Sequence, residues 1–174
     1  MKMIFNYTFL LLFISFLGCK KNDDGLPKAT QTGANVIAAK IDGVIWKTKA
    51  CFGCLGGGYG YDAVYVPSSK SIVLRGQMVD EPADINISME IKVAGINGVG
   101  KYDLSDINNS LKRYARVQSG SLPEFYTYNP STGSVTITKF SETEKIVSGT
   151  FEFNASNSAS NKITVTNGVF DLTF

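Results

Sequence analysis

Two thiols carry the most specific chemical pattern in the chain. Cys51-Phe52-Gly53-Cys54 has the spacing of a thioredoxin-type redox pair, which depends on a helix N-terminus to lower the thiol pKa. Here Leu55-Gly56-Gly57-Gly58 follows, and consecutive glycines oppose a helix. Haem attachment needs histidine directly after the second cysteine, where this chain has Leu55. A structural zinc site needs four ligands, usually cysteine and histidine, and the chain holds three cysteines and no histidine. The pattern therefore predicts a local Cys51–Cys54 disulfide in an oxidising compartment, with free thiols or a metal shared between molecules as the alternatives. So short a loop removes little unfolded-state entropy, about 2 kcal/mol in the chain model. Its use would be to fix the shape of the loop.

Other catalytic groups are sparse. The absence of histidine removes the usual general base at neutral pH and the commonest metal ligand. Serines are plentiful but lack that activation. Asp80, Glu81, Asp84, Asp103, Asp106 and Glu124 offer carboxylates; glycoside hydrolysis needs two facing each other about 5–9.5 Å apart. Most of these sit in turn-like segments, where aspartate caps the local backbone. Gly56-Gly57-Gly58-Tyr59-Gly60-Tyr61 is glycine-rich, but no Gly-Lys-Ser/Thr follows, so it lacks what a phosphate loop requires. The expectation is a chain without catalysis, cofactor or metal. Tyrosines are more suggestive of binding. Tyr59, Tyr61 and Tyr65 fall near one strand, and Tyr126 and Tyr128 alternate on another. Exposed, they would stack on sugar rings or anchor a protein partner; facing inward, they would be core.

The elements that must position these groups begin with an address. Lys2 precedes the apolar run Phe9-Leu10-Leu11-Leu12-Phe13-Ile14-Ser15-Phe16-Leu17, which closes on Gly18-Cys19. That is the form of a secretory signal, and it is too short for a comfortable membrane span of about 20 residues. Leu17-Gly18-Cys19 resembles a bacterial lipobox, which makes Cys19 the lipidated first residue of the mature chain. The organisation expected is a signal over residues 1–18, a lipidated cysteine and flexible tether over 19–34, and one domain over 35–174. Lys20-Lys21-Asn22-Asp23-Asp24 reads either as a surface-export signal or as a solvated linker. The whole chain has 17 basic and 15 acidic side chains, and the signal contains one lysine and no acid. The remainder is nearly balanced, which gives no reason to expect nucleic acid as a partner.

From Asn35 onward the pattern is β. Asp42-Gly43 between apolar runs is a hairpin signal, with Trp46 on the second arm as an anchor. Residues 61–66, 71–79, 85–93, 101–104, 113–118, 125–128, 134–140 and 146–155 read as strands. In residues 85–93 the alternation is clean: Ile85, Ile87, Met89, Ile91 and Val93 on one face, Asn86, Ser88, Glu90 and Lys92 on the other. A brief helical turn is expected near residues 106–111. Gly149 inside a strand suggests a bulge or close backbone approach. Ile163 and Val165 share one parity but Phe170, Leu172 and Phe174 the other, so an extra residue belongs near Asn167-Gly168, as a β-bulge or else a tight turn. The fold expected is all-β: an antiparallel sandwich or a flattened, open barrel.

Several segments carry a resemblance. Ile41-Asp42-Gly43 with Trp46, Gly133-Ser134-Val135-Thr136-Ile137-Thr138, Ile146-Val147-Ser148-Gly149-Thr150-Phe151-Glu152-Phe153 and Val165-Thr166-Asn167-Gly168-Val169-Phe170-Asp171 are similar to a family of uncharacterised β-rich lipoproteins of Bacteroidota, a domain of unknown function. The resemblance implies a location and a β fold. It brings no catalytic residues, and the Cys51/Cys54 pair is not among its marks. The combined expectation is an outer-membrane lipoprotein, facing the periplasm or the cell surface. It would be held by its lipid and act as a non-catalytic binding or structural module with a protein or glycan partner. The rivals are a β-barrel holding a small apolar ligand and a carboxylate-based hydrolase. One prediction concerns the thiols: in the unreduced protein, alkylation adds no mass at Cys51 or Cys54, and two alkylated sites there rule the disulfide out.

Overall fold

The computed structural model describes residues 25–51, 53, 55–80, 85–105, 112–121, 123–128 and 133–174. The signal, Cys19, the start of the tether and the turn expected at residues 106–111 lie outside the described residues. Within them the chain forms eleven strands: β1 (Val36–Ile41), β2 (Val44–Lys47), β3 (Tyr61–Val66), β4 (Ser71–Asp80), β5 (Ile85–Val93), β6 (Gly100–Leu104), β7 (Tyr114–Ser119), β8 (Phe125–Tyr126), β9 (Gly133–Ser141), β10 (Ile146–Ser156) and β11 (Lys162–Thr173). One four-residue helical turn, Leu55–Gly58, stands where the glycines predicted none.

All pairings are antiparallel, in the order β2-β1-β11-β10-β8-β7-β5-β4-β3. The sheet branches at β10. Its first part pairs with β9, which in turn carries β6, and its end pairs with β8 at Ser156 and Tyr126. The sheet curls on itself into a half-barrel, which resolves the choice between sandwich and open barrel. The inner face gathers one core from nearly every strand, including Ile37, Trp46, Leu74, Ile91, Val135 and Phe170. Val147, Phe151, Phe153 and Ala155 of β10 all point into it, as their spacing predicts.

Two local irregularities set this curvature. In the β10–β11 pair Phe151 faces Gly168 while Phe153 faces Val165. One residue of β10 therefore opposes two of β11, which is a β-bulge at Thr166-Asn167, with Asn167 at φ +53°. The expected change of side-chain parity is real, and the strand runs through it unbroken. Gly149 sits at a second shift of register, between β9 and β10. The Asp42-Gly43 turn joins β1 to β2 with both residues at positive φ, as a tight hairpin demands.

Trp46 holds the two ends of the curl together. It is 1 % exposed and donates its indole N–H to the Ile87 carbonyl of β5 at 3.1 Å. Its ring lies against Gly76 of β4, where a Cβ would come within 2.5 Å of the ring. Just beyond β2, Lys49 N–H donates to the Gln77 carbonyl of β4 at 3.2 Å.

The N-terminal segment lies across the outer face of the other half of the sheet. Asp171 of β11 is fully buried there. Its carboxylate accepts backbone N–H bonds from Thr32 (3.0 Å), Gly33 (2.9 Å) and Ala34 (3.1 Å). It also accepts the hydroxyls of Thr30 (2.5 Å), Ser148 (2.6 Å) and, at longer range, Thr32 (3.4 Å). Gly33 has φ +71°, a conformation glycine reaches without penalty, and this turns successive N–H groups toward one anion. Lys139 Nζ donates to the Gln31 carbonyl, and Asn35 accepts from Thr173. The flexible tether expected through residue 34 is thus shorter, because residues 30–34 are a strap fastened to the sheet.

Burial alone would raise the Asp171 pKa. The hydroxyls of Ser148 and Thr30 and the amides of Ala34 and Thr32 outweigh it and hold the group well below the carboxylate range. A depressed folded-state pKa contributes stability that is complete above the unfolded value, about 3.9, and is lost as pH falls through the folded one. Asp171→Asn should therefore cost about 3 kcal/mol at pH 7 and should flatten the loss of stability on acidification below pH ~4. Urea unfolding followed by Trp46 fluorescence at pH 7 and pH 3 checks both; a variant as stable as the parent would refute the account.

Candidate functional site

Among the described residues, the strap does not reach the outer face of β3, β4, β5 and β7. Strand alternation places charged and polar side chains there, and the pairing register lines them up. Arg75 of β4, Glu90 of β5 and Arg116 of β7 face one another across the strands. Two residues along, Gln77, Ser88 and Gln118 do the same. Long side chains on β4 and β7 thus flank a short serine on β5. The result is a trough of about 300 Å³, lined by these six residues with Met89 and Glu124.

Glu90 is the centre of the arrangement, 8 % exposed. One carboxylate oxygen accepts Arg75 Nε at 2.8 Å and Arg116 Nη2 at 3.3 Å, and the other accepts the Tyr114 hydroxyl at 3.1 Å. Arg75 also reaches Asp62 of β3 at 2.9 Å, and Arg116 reaches Glu124 at 3.2 Å. Tyr126 of β8, opposite Arg116, donates its hydroxyl to Glu124. The ladder therefore runs Asp62, Arg75, Glu90, Arg116, Glu124, with the sign of charge alternating at each step.

Burial pushes the Glu90 pKa up, but the bond from Arg75, the charge of Arg116 and the Tyr114 hydroxyl together hold it below the ordinary value. Tyr114 is pushed up by burial and by the Glu90 charge. Arg75 is raised chiefly by its bond to Glu90. Glu90 is thus a fixed anionic acceptor, whereas a general acid must keep its proton near neutral pH.

The residues singled out in the sequence are dispersed. Tyr61 and Tyr65 pack against the core. Tyr65 completes an aromatic cluster with Phe140 (5.0 Å between centroids) and Phe174 (5.5 Å), and its hydroxyl donates to Glu142. Tyr59 is exposed, its ring 5.8 Å from that of Tyr61. Tyr128 is partly buried, and Tyr126 borders the trough. The five tyrosines form no single face. Among the carboxylates, Glu124 lines the trough, Asp80 pairs with Lys49 at 3.7 Å and Asp103 is exposed on β6. Glu81, Asp84 and Asp106 lie outside the described residues. So do Cys19 and Cys54, and with Cys54 the disulfide pairing; on the near side of that loop, Cys51 N–H donates to the Gly58 carbonyl at 2.9 Å. Arg75, Glu90 and Arg116 were not among the expected site residues. The alternation in β5 put Ser88 and Glu90 on its wet face, but only the pairing register brings Arg75 and Arg116 beside them.

A second hollow of about 410 Å³ opens where the strap crosses β9 and β10, with Leu26 and Pro27 over Thr136 and Thr150. It belongs to the seam between strap and sheet.

Removing the central charge tests the ladder. Glu90→Gln should cost about 2 kcal/mol at pH 7, because two guanidinium groups lose their shared partner. The depressed Glu90 pKa means its contribution is present above the unfolded value, about 4.3, and fades below it. Parent and variant should therefore converge in thermal stability as pH falls toward 3; an equal gap at pH 7 and pH 3 would refute the role.

The family described as a domain of unknown function, DUF6252, matches residues 61–172. No curated protein matches the chain, and no solved structure does so. The match spans β3 to nearly the end of β11 and takes in the whole of the trough. On that match, covering more than half its length, the chain belongs to the DUF6252 family.

Proposed function

We propose that the chain is a lipid-anchored, non-catalytic binding module of the outer membrane that meets its ligand through the trough on β4, β5 and β7. The observation that carries the binding reading is the division of the outer face. One half is crossed by the chain's own strap, fastened on Asp171, and the other presents a polar hollow whose arginines and central glutamate are already held by ion pairs. Side chains already held by ion pairs lose little freedom when a ligand arrives.

The anchor reading rests on the first nineteen residues. The apolar run closes on Leu17-Gly18-Cys19, and the charged run Lys20-Lys21-Asn22-Asp23-Asp24 that follows reads as a surface-export signal or as a solvated linker. The likeness of the strand motifs to Bacteroidota lipoproteins supports the same address. A Cys51–Cys54 disulfide fits an oxidising location. The two rivals find less support. Trp46, Phe170 and Leu172 occupy the interior that a barrel would give to an apolar ligand, and Glu90 is held ionised between two arginines.

Two measurements test this. Cys19→Ser should move the protein from the membrane to the soluble fraction of the cell envelope; retention in the membrane would overturn the anchor. A photo-crosslinking residue at Gln118 should form adducts in intact cells that the same residue at exposed Val99, outside the trough, does not. Identical adducts from the two positions, or none, would overturn the trough as the binding surface.

A further inference from the structure

We infer that the ligand of the trough is a neutral carbohydrate chain, an inference that rests on the trough being the binding surface. The balance of charge is the first ground. Two arginines and two glutamates line the hollow, and each guanidinium already bridges two carboxylates, Arg75 between Glu90 and Asp62 and Arg116 between Glu90 and Glu124. An anionic ligand would have to break these pairs, and a cation would have to compete with the guanidinium group already paired to each carboxylate.

The mixture of hydrogen-bonding groups is the second ground. Carboxylates only accept, guanidinium groups only donate, and the amides of Gln77 and Gln118 and the hydroxyl of Ser88 do both. Sugar hydroxyls also do both, and adjacent hydroxyls match the planar edge of a carboxylate, amide or guanidinium in pairs. The ladder fixes the carboxylates and guanidinium groups in advance, and the amides of Gln77 and Gln118 donate to Asn86 and to the Gly120 carbonyl. A hollow of about 300 Å³ lies at the lower end of small-molecule sites, a size suited to a sugar ring in an open trough through which a chain can continue. Tyr126, bonded to Glu124 at the border, adds a ring whose apolar face suits the C–H face of a sugar.

Backbone geometry separates this ligand from a peptide. Extended peptides bind by adding a strand to a free sheet edge. The trough lies on β4, β5 and β7: β4 is paired by β3 and β5, β5 by β4 and β7, and β7 by β5 along its length and by β8 at Arg116 and Val117. Recognition there is left to side chains.

The test is calorimetric titration of the full chain in detergent with neutral gluco-, manno-, galacto- and xylo-oligosaccharides, with sulfated and phosphorylated sugars alongside. At least one neutral oligosaccharide should bind. Ser88→Phe, which fills the floor and leaves the ladder intact, should weaken it tenfold or more. Gln77→Ala with Gln118→Ala, which trims only the walls, should also weaken it and serves if Ser88→Phe fails to fold. The inference is overturned if no neutral oligosaccharide binds, if only the charged sugars bind, or if binding survives the variants that fold. Trough-specific protein adducts from position 118 without any sugar binding would remove the carbohydrate and leave the binding-module reading standing; the absence of both would remove the two together.

Discussion

A single buried carboxylate decides how the chain enters its sheet. Asp171 faces away from the hydrophobic interior, on the side of β11 that would otherwise meet water. Once the strap covers it, its charge has lost its hydration. Only a concentrated set of donors can replace that hydration, and three successive amides with three hydroxyls supply it. Charge-assisted bonds of this kind are stronger than neutral ones, and a buried anion without them would be severely destabilising. The carboxylate and the strap are therefore mutually dependent. The strap's end also fixes where β1 starts, with Val36 opposite Asp171 itself.

The ladder across β3, β4, β5 and β7 obeys a different balance. Arg75 and Arg116 have side chains 35 % and 38 % exposed, and partly solvated pairs contribute modestly to stability. Glu90 is the exception, since its own burial makes it depend on both arginines. The network's main effect is geometric. It holds Arg75 and Arg116 on either side of Glu90, while the glutamine walls beside Ser88 are held separately, by Asn86 and the Gly120 carbonyl.

Much of the fold was legible because side-chain parity has few solutions. The clean alternation of Ile85 through Val93 named β5 and its dry face. The change of parity between Val165 and Phe170 located the bulge to within a residue or two. The Asp42-Gly43 dipeptide gave the first hairpin. The strap was not legible, because residues 30–34 have no periodicity and their order comes from one aspartate 137 to 141 residues away. The trough was hidden for a related reason. Its residues come from three strands, and a sequence states which face a side chain takes but not which neighbour stands beside it. Tyr61 and Tyr65 illustrate the converse: their alternation was visible, but whether that face was wet or dry depended on how the sheet curled over it.

The pairing of β1 with β11 has a consequence for how the molecule comes into being. Contacts so distant along the chain carry a large loop-closure cost before they return any stability, and topologies built from them fold slowly. The strand that receives both β1 and the strap, β11, comes after the other ten in chain order. A chain emerging N-terminus first, from a ribosome or through a narrow pore, must hold the strap and β1 in waiting until β11 arrives. Assembly of this sheet is thus timed by the emergence of β11.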